Sequence, residues 1–205
     1  MTKKETFLPK HLLRNFSLVG LWTLASRITG FIRDILIATF LGSGPIAEAF
    51  IVAFTLPNMF RRLFAEGAFN TAFIPILSKK ISSKDNPEGF ASDALSLLIV
   101  VLLIVTAVAE ILMPLLVFST ASGFSSSSRF DLSVSFGRVL FPYILLISLS
   151  AFFGGVLNTL NRYSITAAAP LLLNLFFIGS ILIAYLFELD FGWSITFCVP
   201  LAGLS

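Results

Sequence analysis

Long apolar segments separated by short polar ones run through the whole chain. A helix that crosses the hydrocarbon core of a bilayer needs about 20 apolar residues at a rise of about 1.5 Å per residue. The pattern predicts five complete spans and an incomplete sixth, at residues 16–41, 46–63, 93–118, 132–158, 164–187 and 191–205. We therefore expect an all-α polytopic membrane protein in which residues 1–205 form a single helical bundle.

The second span carries a proline close to its end. Pro57-Asn58 precedes the pair Arg61-Arg62, and because proline lacks a backbone donor, a kink or break is predicted there. The apolar residues 65–77 that follow are too few to cross a bilayer. We interpret them as a short interfacial or re-entrant helix.

Composition supports a membrane location, since 57% of the residues are hydrophobic and only 12% are charged. The net charge of +3 comes from scattered basic residues, which do not form the long runs typical of nucleic-acid binding. A single cysteine, Cys198, and a single histidine, His11, predict neither a disulfide nor a metal site, and no cofactor is indicated. A cleavable signal peptide is the alternative for the N-terminal segment, but the apolar pattern continues past Arg27.

Lysine and arginine fall mainly on one side of the predicted spans. Cytoplasmic loops carry the excess of positive charge in membrane proteins. The loops on one side, at 42–45, 119–131 and 188–192, contain a single basic residue, Arg129. The N-terminal tail and the loops on the other side contain Lys3, Lys4, Lys10, Arg14, Lys79, Lys80, Lys84 and Arg162. The distribution predicts a cytoplasmic N terminus.

Three charged residues lie inside the first apolar span, where each costs roughly 2.5 to 3.5 kcal/mol at the centre of a membrane helix. Arg27 and Asp34 are seven residues apart and share nearly one helix face, Arg33 lies about 120° away, and Ser26 adjoins this sector. One alternative is that Arg33 and Asp34 extend towards the outer interface and only Arg27 is deep. We interpret the helix as the wall of a water-filled cavity.

Arg61 and Arg62 have two interpretations. They either anchor the cytoplasmic end of a span or face a polar substrate beside the predicted break at Pro57-Asn58. Glu66 stands four residues after Arg62 and is placed to pair with it. Because guanidinium groups bind phosphate in a bidentate manner, these arginines favour an anionic, phosphorylated ligand.

The remaining charged residues near the spans give weaker signals. Glu48 is predicted to be an interfacial carboxylate, with a proton or cation site as the alternative, and Glu110 is predicted to face water near the outer surface. Arg138 is interpreted as an interfacial anchor. The sequence has no nucleophile elbow, no phosphate-binding glycine loop and no second histidine, so an enzyme is not indicated.

Four segments of the chain are distinctive: SRITGFIRD at 26–34, AEAFIVAFTLPNMFRRLFAEGAFNTAFIPIL at 47–77, FPYILLISLSAFFGGVLNTLNRYSI at 141–165 and AAAPLLLN at 167–174. Together they closely resemble the MurJ (MviN) family of lipid II flippases. The resemblance implies a MOP-exporter-type bundle in which two lobes surround a cationic cavity. It also implies a bacterial inner-membrane location and transfer of lipid II, the undecaprenyl-pyrophosphate-linked peptidoglycan precursor, from the cytoplasmic to the periplasmic leaflet.

The family motifs also suggest roles for individual residues of this chain. By resemblance, the substrate-binding positions are Ser26, Arg27, Arg33 and Arg61, and the supporting charged positions are Asp34, Glu48, Arg62 and Glu66. Only the N-terminal lobe of the family is matched, so a partner lobe is expected. The alternatives are another exporter of the same superfamily, a membrane fragment with no transport of its own, or, against the motif evidence, a membrane transferase.

Overall fold

A computed structural model describes residues 10–62, 68–125, 127–160 and 162–203. This part of the chain folds into nine α-helices and one turn of 3-10 helix, and it contains no strand. The helices are α1 (Lys10–Leu41), α2 (Pro45–Arg61), α3 (Ala68–Ser83), α4 (Pro87–Ile111), α5 (Met113–Thr120), α6 (Ser128–Leu140), α7 (Tyr143–Thr159), α8 (Tyr163–Leu186) and α9 (Phe191–Gly203). The prediction of an all-α fold is confirmed.

Several helices have the length and composition of membrane spans. Within the described residues, Pro87–Ile111, Ser128–Thr159 and Ala168–Leu186 are long and apolar enough to cross a bilayer, and Phe191–Gly203 is a shorter apolar helix. Helix α1 has 32 residues. Its length suffices for a span, but it carries the charged residues that the sequence placed inside the first apolar segment.

Helix α4 begins six residues before the predicted span at 93–118. Asn86 precedes the helix with a positive φ of 42°, and its side chain accepts a hydrogen bond from the Gly89 backbone N–H at 3.1 Å. Pro87 occupies the first helical position, where its missing N–H costs nothing. These local signals start the helix in the polar segment before the apolar run.

Two predicted spans are each divided into two helices. The span predicted at 93–118 is interrupted at Leu112, between α4 and α5, and Pro114 lies in the first turn of α5. The span predicted at 132–158 is interrupted between α6 and α7, where Pro142 precedes α7. Proline cannot donate the backbone bond that would continue the preceding helix, so both breaks have the same cause.

The predicted break at Pro57-Asn58 does not occur. Helix α2 continues through Pro57 to Arg61, and the Arg62 backbone N–H still bonds to the Asn58 carbonyl. Leu56 and Pro57 are both buried against neighbouring helices. Proline is tolerated inside membrane helices when the surrounding packing holds the chain, which explains why one missing donor does not end α2.

The short helix predicted at 65–77 corresponds to α3, which is longer than expected. Helix α3 extends to Ser83, and Phe73 and Leu77 on one of its faces are buried. Residues 63–67 lie outside the described part of the chain. Lys80 in the last turn forms an ion pair of 2.8 Å with Asp85, which lies just after the helix.

The helices pack around two clusters of buried side chains, and α2 and α7 contribute to both. The first cluster, on the α8 and α9 side, contains Ala49, Phe50, Ala53, Phe136, Leu140, Tyr143, Phe177, Ile181, Ile195, Cys198 and Val199. The second, on the α3 to α5 side, contains Leu56, Phe73, Leu77, Leu98, Leu102, Ala109, Met113, Val117, Phe141, Ile144 and Phe152. Lipid is as apolar as these side chains, so close packing rather than the hydrophobic effect holds such clusters together.

Helix α1 lies at the edge of the bundle, along α8. Its partly buried residues Leu36, Ile37 and Phe40 pack against the first cluster, while Leu21 and Phe31 on other faces are exposed. Helix α8 packs in turn against α9. This arrangement leaves a space on the inner side of α1, between α1 and the rest of the bundle.

Candidate functional site

A cavity of about 540 Å³ opens between α1, α2, α7, α8 and α9. Most of its wall is apolar, glycine or proline. Its polar lining residues are Ser26, Arg27 and Arg33 of α1, Asn58 and Arg61 of α2, Tyr143 and Ser150 of α7, and Asn174 of α8. None of the lining residues, all of which belong to the described part of the chain, carries a carboxylate.

The structure brings together all four residues predicted to bind substrate. Ser26, Gly30 and Arg33 follow one another at spacings of four and three, which places them on one face of α1. Arg27 is adjacent to this face and also lines the cavity. Arg61 reaches the cavity from α2. Three arginines from two helices therefore line one cavity.

Spacing alone placed Ser26, Arg27, Arg33 and Asp34 in one polar sector of α1, and all of these except Asp34 line the cavity. The sequence placed Arg27 and Asp34 on a common face, but Asp34 is not among the lining residues. Its side chain is 65% exposed and pairs with Arg33, the preceding residue. Arg33, which spacing placed about 120° away from Arg27, lines the cavity together with it. Arginine side chains are long enough to reach a common space from different angular positions.

The Arg33 guanidinium is held on three sides. Nε and Nη2 donate to Asp34 Oδ1 at 3.0 and 2.8 Å, and Nη1 donates to Asn174 Oδ1 at 2.8 Å. The guanidinium carbon lies 5.5 Å from the centre of the Phe177 ring, within the range of a cation–π contact. These partners engage three of the five N–H groups of a guanidinium. A ligand in the cavity would meet a cation whose position is already fixed.

Tyr143, Ser150 and Asn174 are polar lining residues that were not predicted from the sequence, and Asn174 is the one that bonds to Arg33 of α1. Asn174 is 5% exposed, and its Nδ2 donates to the Ser26 carbonyl at 2.9 Å and lies 3.4 Å from Thr29 Oγ1. A Cβ on Gly30 would lie 3.3 Å from Asn174 Nδ2, so the glycine allows the amide to approach α1. The sequence feature that could have identified Asn174 is its place inside the apolar run LLLNLFF at 171–177. A buried amide is costly unless it is paired, so an amide in such a run indicates a polar partner.

The two arginines at the end of α2 have different positions. Arg61 lines the cavity and is half-buried, whereas Arg62 is exposed and is not a lining residue. Asn58, one turn before Arg62, also lines the cavity, so the predicted break residues contribute a side chain rather than free backbone groups. Glu66, the predicted partner of Arg62, lies outside the described residues.

Glu48 does not belong to the cavity. Arg129 Nη1 lies 2.7 Å from Glu48 Oε2, an ion pair without hydrogen-bond geometry that joins the start of α2 to the start of α6. Both side chains are about 40% exposed, and an exposed pair of this kind contributes about 0 to 1 kcal/mol. Glu110 and Arg138 also lie away from the cavity lining.

The cavity has the properties of an anion site. Its charged lining groups are all guanidiniums, which stay protonated and present planar pairs of donors to phosphate oxygens. Among the described residues, no three His, Cys, Asp or Glu side chains gather as a group that could hold a metal ion. The arrangement is suited to binding a multiply charged anion through its oxygens.

Comparisons with known proteins identify the family. A family sequence model for lipid II flippase MurJ matches residues 37–199. The probable lipid II flippase MurJ of Rhizobium tropici is 43% identical over 200 residues, which are 94% of this chain and 38% of that protein. The lipid II flippase MurJ of Burkholderia cenocepacia is 42% identical over 174 residues, which are 83% of this chain and 34% of that protein.

A solved structure agrees with these sequence relatives. Lipid II flippase MurJ in an inward closed conformation matches with a TM-score of 0.76 and 26% identity, over 91% of this chain and 39% of that one. The chain thus spans about 38% of the length of its curated relative from Rhizobium tropici. The resemblance noted in the sequence is confirmed, and this chain belongs to the MurJ family of lipid II flippases.

Proposed function

We propose that this chain forms the N-terminal lobe of a lipid II flippase and that its cavity binds the pyrophosphate of the lipid-linked peptidoglycan precursor. The observation that carries the proposal is the convergence of Arg27, Arg33 and Arg61 on one cavity of about 540 Å³. Lipid II is the substrate that the names of the curated relatives give. A transport role without covalent chemistry accords with these names.

The chemistry of a pyrophosphate matches the cavity wall. Two linked phosphates offer several anionic oxygens, and each can accept paired N–H donors from a guanidinium. An arginine inside a membrane span is costly on its own, so Arg27 and Arg33 within α1, which line one cavity with Arg61 from the end of α2, favour a site that binds a polar ligand. The exposed apolar side chains on the outer faces of the bundle suit a long isoprenoid tail that remains in the lipid.

Transport in this proposal follows alternating access. In transporters built from repeats, one repeat moves against the other around a fixed site. The cavity described here would form one side of that site, and a second lobe would form the other. The pyrophosphate and sugars would cross through the shared space from the cytoplasmic to the periplasmic leaflet.

The proposed location is the bacterial inner membrane, with the N terminus in the cytoplasm. Lys79, Lys80 and Lys84 near the end of α3 support this orientation. Residues 119–131, which include the loop before α6 and its first turn, contain only one basic residue, Arg129, whose charge is paired with Glu48. Lysine and arginine residues therefore concentrate on the side proposed to be cytoplasmic.

A ligand panel tests the proposal against another exporter of the same superfamily. The chain in lipid nanodiscs would be titrated with lipid II, undecaprenyl pyrophosphate, undecaprenol and the cationic amphiphile tetraphenylphosphonium. We expect binding of the two pyrophosphate compounds and no measurable binding of the alcohol or the cation. Equal affinity for undecaprenol would contradict a phosphate site, and preference for the cation would favour a drug exporter.

A further inference from the structure

Asn174 connects α8 to α1 through both ends of its amide. Oδ1 accepts a hydrogen bond from Arg33 Nη1 at 2.8 Å, and Nδ2 donates one to the Ser26 carbonyl at 2.9 Å. A guanidinium can only donate and a backbone carbonyl can only accept. The amide therefore has one orientation that satisfies both neighbours, and turning it over would oppose like groups at both ends.

The surroundings hold the amide in this orientation. Asn174 is 5% exposed, so water does not replace its partners. The Thr29 hydroxyl donates to the Ala25 carbonyl at 2.9 Å, which leaves its oxygen to accept from Asn174 Nδ2 at 3.4 Å. Gly30 leaves room for the amide, because a Cβ there would lie 3.3 Å from Nδ2. A rotation would leave buried polar groups unpaired, which is costly.

The position of Arg33 depends on two neighbours of different character. Asp34 holds Nε and Nη2, but its side chain is 65% exposed. Asn174 holds Nη1 from the buried side. The Phe177 ring lies 5.5 Å from the guanidinium carbon. Asn174 is thus the buried hydrogen-bond acceptor that fixes the plane of this cation at the cavity wall.

We propose that Asn174 is a positioning residue that sets the orientation of the Arg33 guanidinium in the cavity. Its value for binding rests on the proposed function, in which Arg33 contacts a pyrophosphate. A guanidinium that is already oriented loses less conformational freedom when a phosphate binds. The orientation itself does not depend on which ligand the cavity takes, so it can be measured without one.

The first measurement uses the chain in nanodiscs and inorganic pyrophosphate as the probe. We compare the parent, Asn174→Leu, which keeps the branched shape and the number of heavy atoms but makes no hydrogen bonds, Arg33→Ala and the double variant. Asn174→Leu should weaken binding about tenfold, as expected for loss of a hydrogen bond to a charged group. In the Arg33→Ala background the same change should alter affinity less than about twofold, since coupled residues are not additive. An equal loss in both backgrounds would overturn the proposal.

The second measurement needs no ligand. In ¹⁵N NMR spectra, the Arg33 side-chain signal is assigned as the one lost in Arg33→Lys, and rotation about its Cζ–Nη bonds is measured. Asn174→Leu should increase the rate of this rotation measurably. An unchanged signal would overturn the proposal. A faster rotation in a protein that does not bind pyrophosphate would support the positioning role and contradict the proposed function.

Two further variants separate positioning from helix packing. Ile181→Ala removes a fully buried side chain of the same helix, two turns away from Asn174, and should leave the Arg33 signal unchanged. Asn174→Asp keeps the acceptor but neutralises the cation, so it should retain slow rotation and still weaken pyrophosphate binding. If Ile181→Ala changed the Arg33 signal as much as Asn174→Leu does, loss of packing would explain the effect and the proposal would fail.

Discussion

Arg33 donates two hydrogen bonds, from Nε at 3.0 Å and from Nη2 at 2.8 Å, to a single carboxylate oxygen of Asp34. The two residues are neighbours on α1, yet only Arg33 lines the cavity. Phosphate oxygens would use the same kind of N–H donor that Asp34 occupies. Asp34 therefore both steadies the cation and competes with an anionic ligand for it.

The first prediction follows from this competition. Asp34→Asn should raise the affinity of the chain for inorganic pyrophosphate by about two- to fivefold, because an exposed ion pair contributes about 0 to 1 kcal/mol. Isothermal titration in nanodiscs measures the change. Asp85→Asn is the matched control, since it removes the same charge from an exposed pair with Lys80 away from the cavity. An equal gain in both variants would indicate a general charge effect, and a loss in Asp34→Asn would contradict the competition.

Periodicity and charge predicted much of this molecule, and the failures have definite physical causes. Arg27 and Arg33 were identified because a charge in an apolar span is costly, and Arg61 because it follows Pro57-Asn58. The reasoning from cost, applied to an amide, would have found Asn174. The continuous α2 was not predictable, because packing around Pro57 decides whether a missing donor ends a helix. Asp34 does not line the cavity although spacing places it near the face of Arg27, since its side chain pairs with Arg33 and helical spacing does not give the direction of side chains.

Gly30 provides a prediction about packing between α1 and α8. Gly30→Ala should destabilise the chain relative to Gly20→Ala, because a Cβ at position 30 would lie 3.3 Å from Asn174 Nδ2, whereas one at position 20 meets nothing within 4 Å. Both changes also stabilise α1 by the same roughly 0.5 to 1 kcal/mol, because alanine has a higher helix propensity than glycine. Thermal unfolding in one detergent should give a lower Tm for Gly30→Ala than for Gly20→Ala. Equal Tm values would show that the amide moves away at no cost.

Orientation in the membrane gives a prediction with two matched substitutions. In a Cys198→Ser background, Ser83→Cys and Ser125→Cys place single thiols at exposed positions, one at the end of α3 and the other before α6. The distribution of lysine and arginine predicts that an impermeant thiol reagent labels Ser125→Cys in intact cells and Ser83→Cys only after lysis. The reverse pattern would invert the proposed topology.

The chain should require a second lobe for transport. It spans about 38% of the length of its relative from Rhizobium tropici, and alternating access needs one repeat to move against another. Expressed alone in a bacterium depleted of its flippase, the 205-residue chain should not restore growth. Co-expression with the remaining part of the Rhizobium tropici relative is expected to restore it. Rescue by the chain alone, shown to be monomeric, would contradict the two-lobe mechanism.

The central claim is that three arginines bind the pyrophosphate of lipid II, and equilibrium binding of lipid II to single variants in nanodiscs tests it most directly. Arg27→Ala, Arg33→Ala and Arg61→Ala each remove charge-assisted hydrogen bonds worth about 1.5 to 3 kcal/mol, which corresponds to a loss of roughly 10- to 150-fold in affinity. Lysine at the same positions should restore only part of this loss, because it lacks the planar pair of donors.

Arg138→Ala is the control in that measurement, since Arg138 is exposed on α6 and does not line the cavity. We expect parental affinity for Arg138→Ala and a large loss for each of the three cavity variants, all compared at equal amounts of folded protein. If Arg27→Ala and Arg33→Ala both bound lipid II as tightly as the parent, α1 would not contribute to an anion site and the central claim would be wrong.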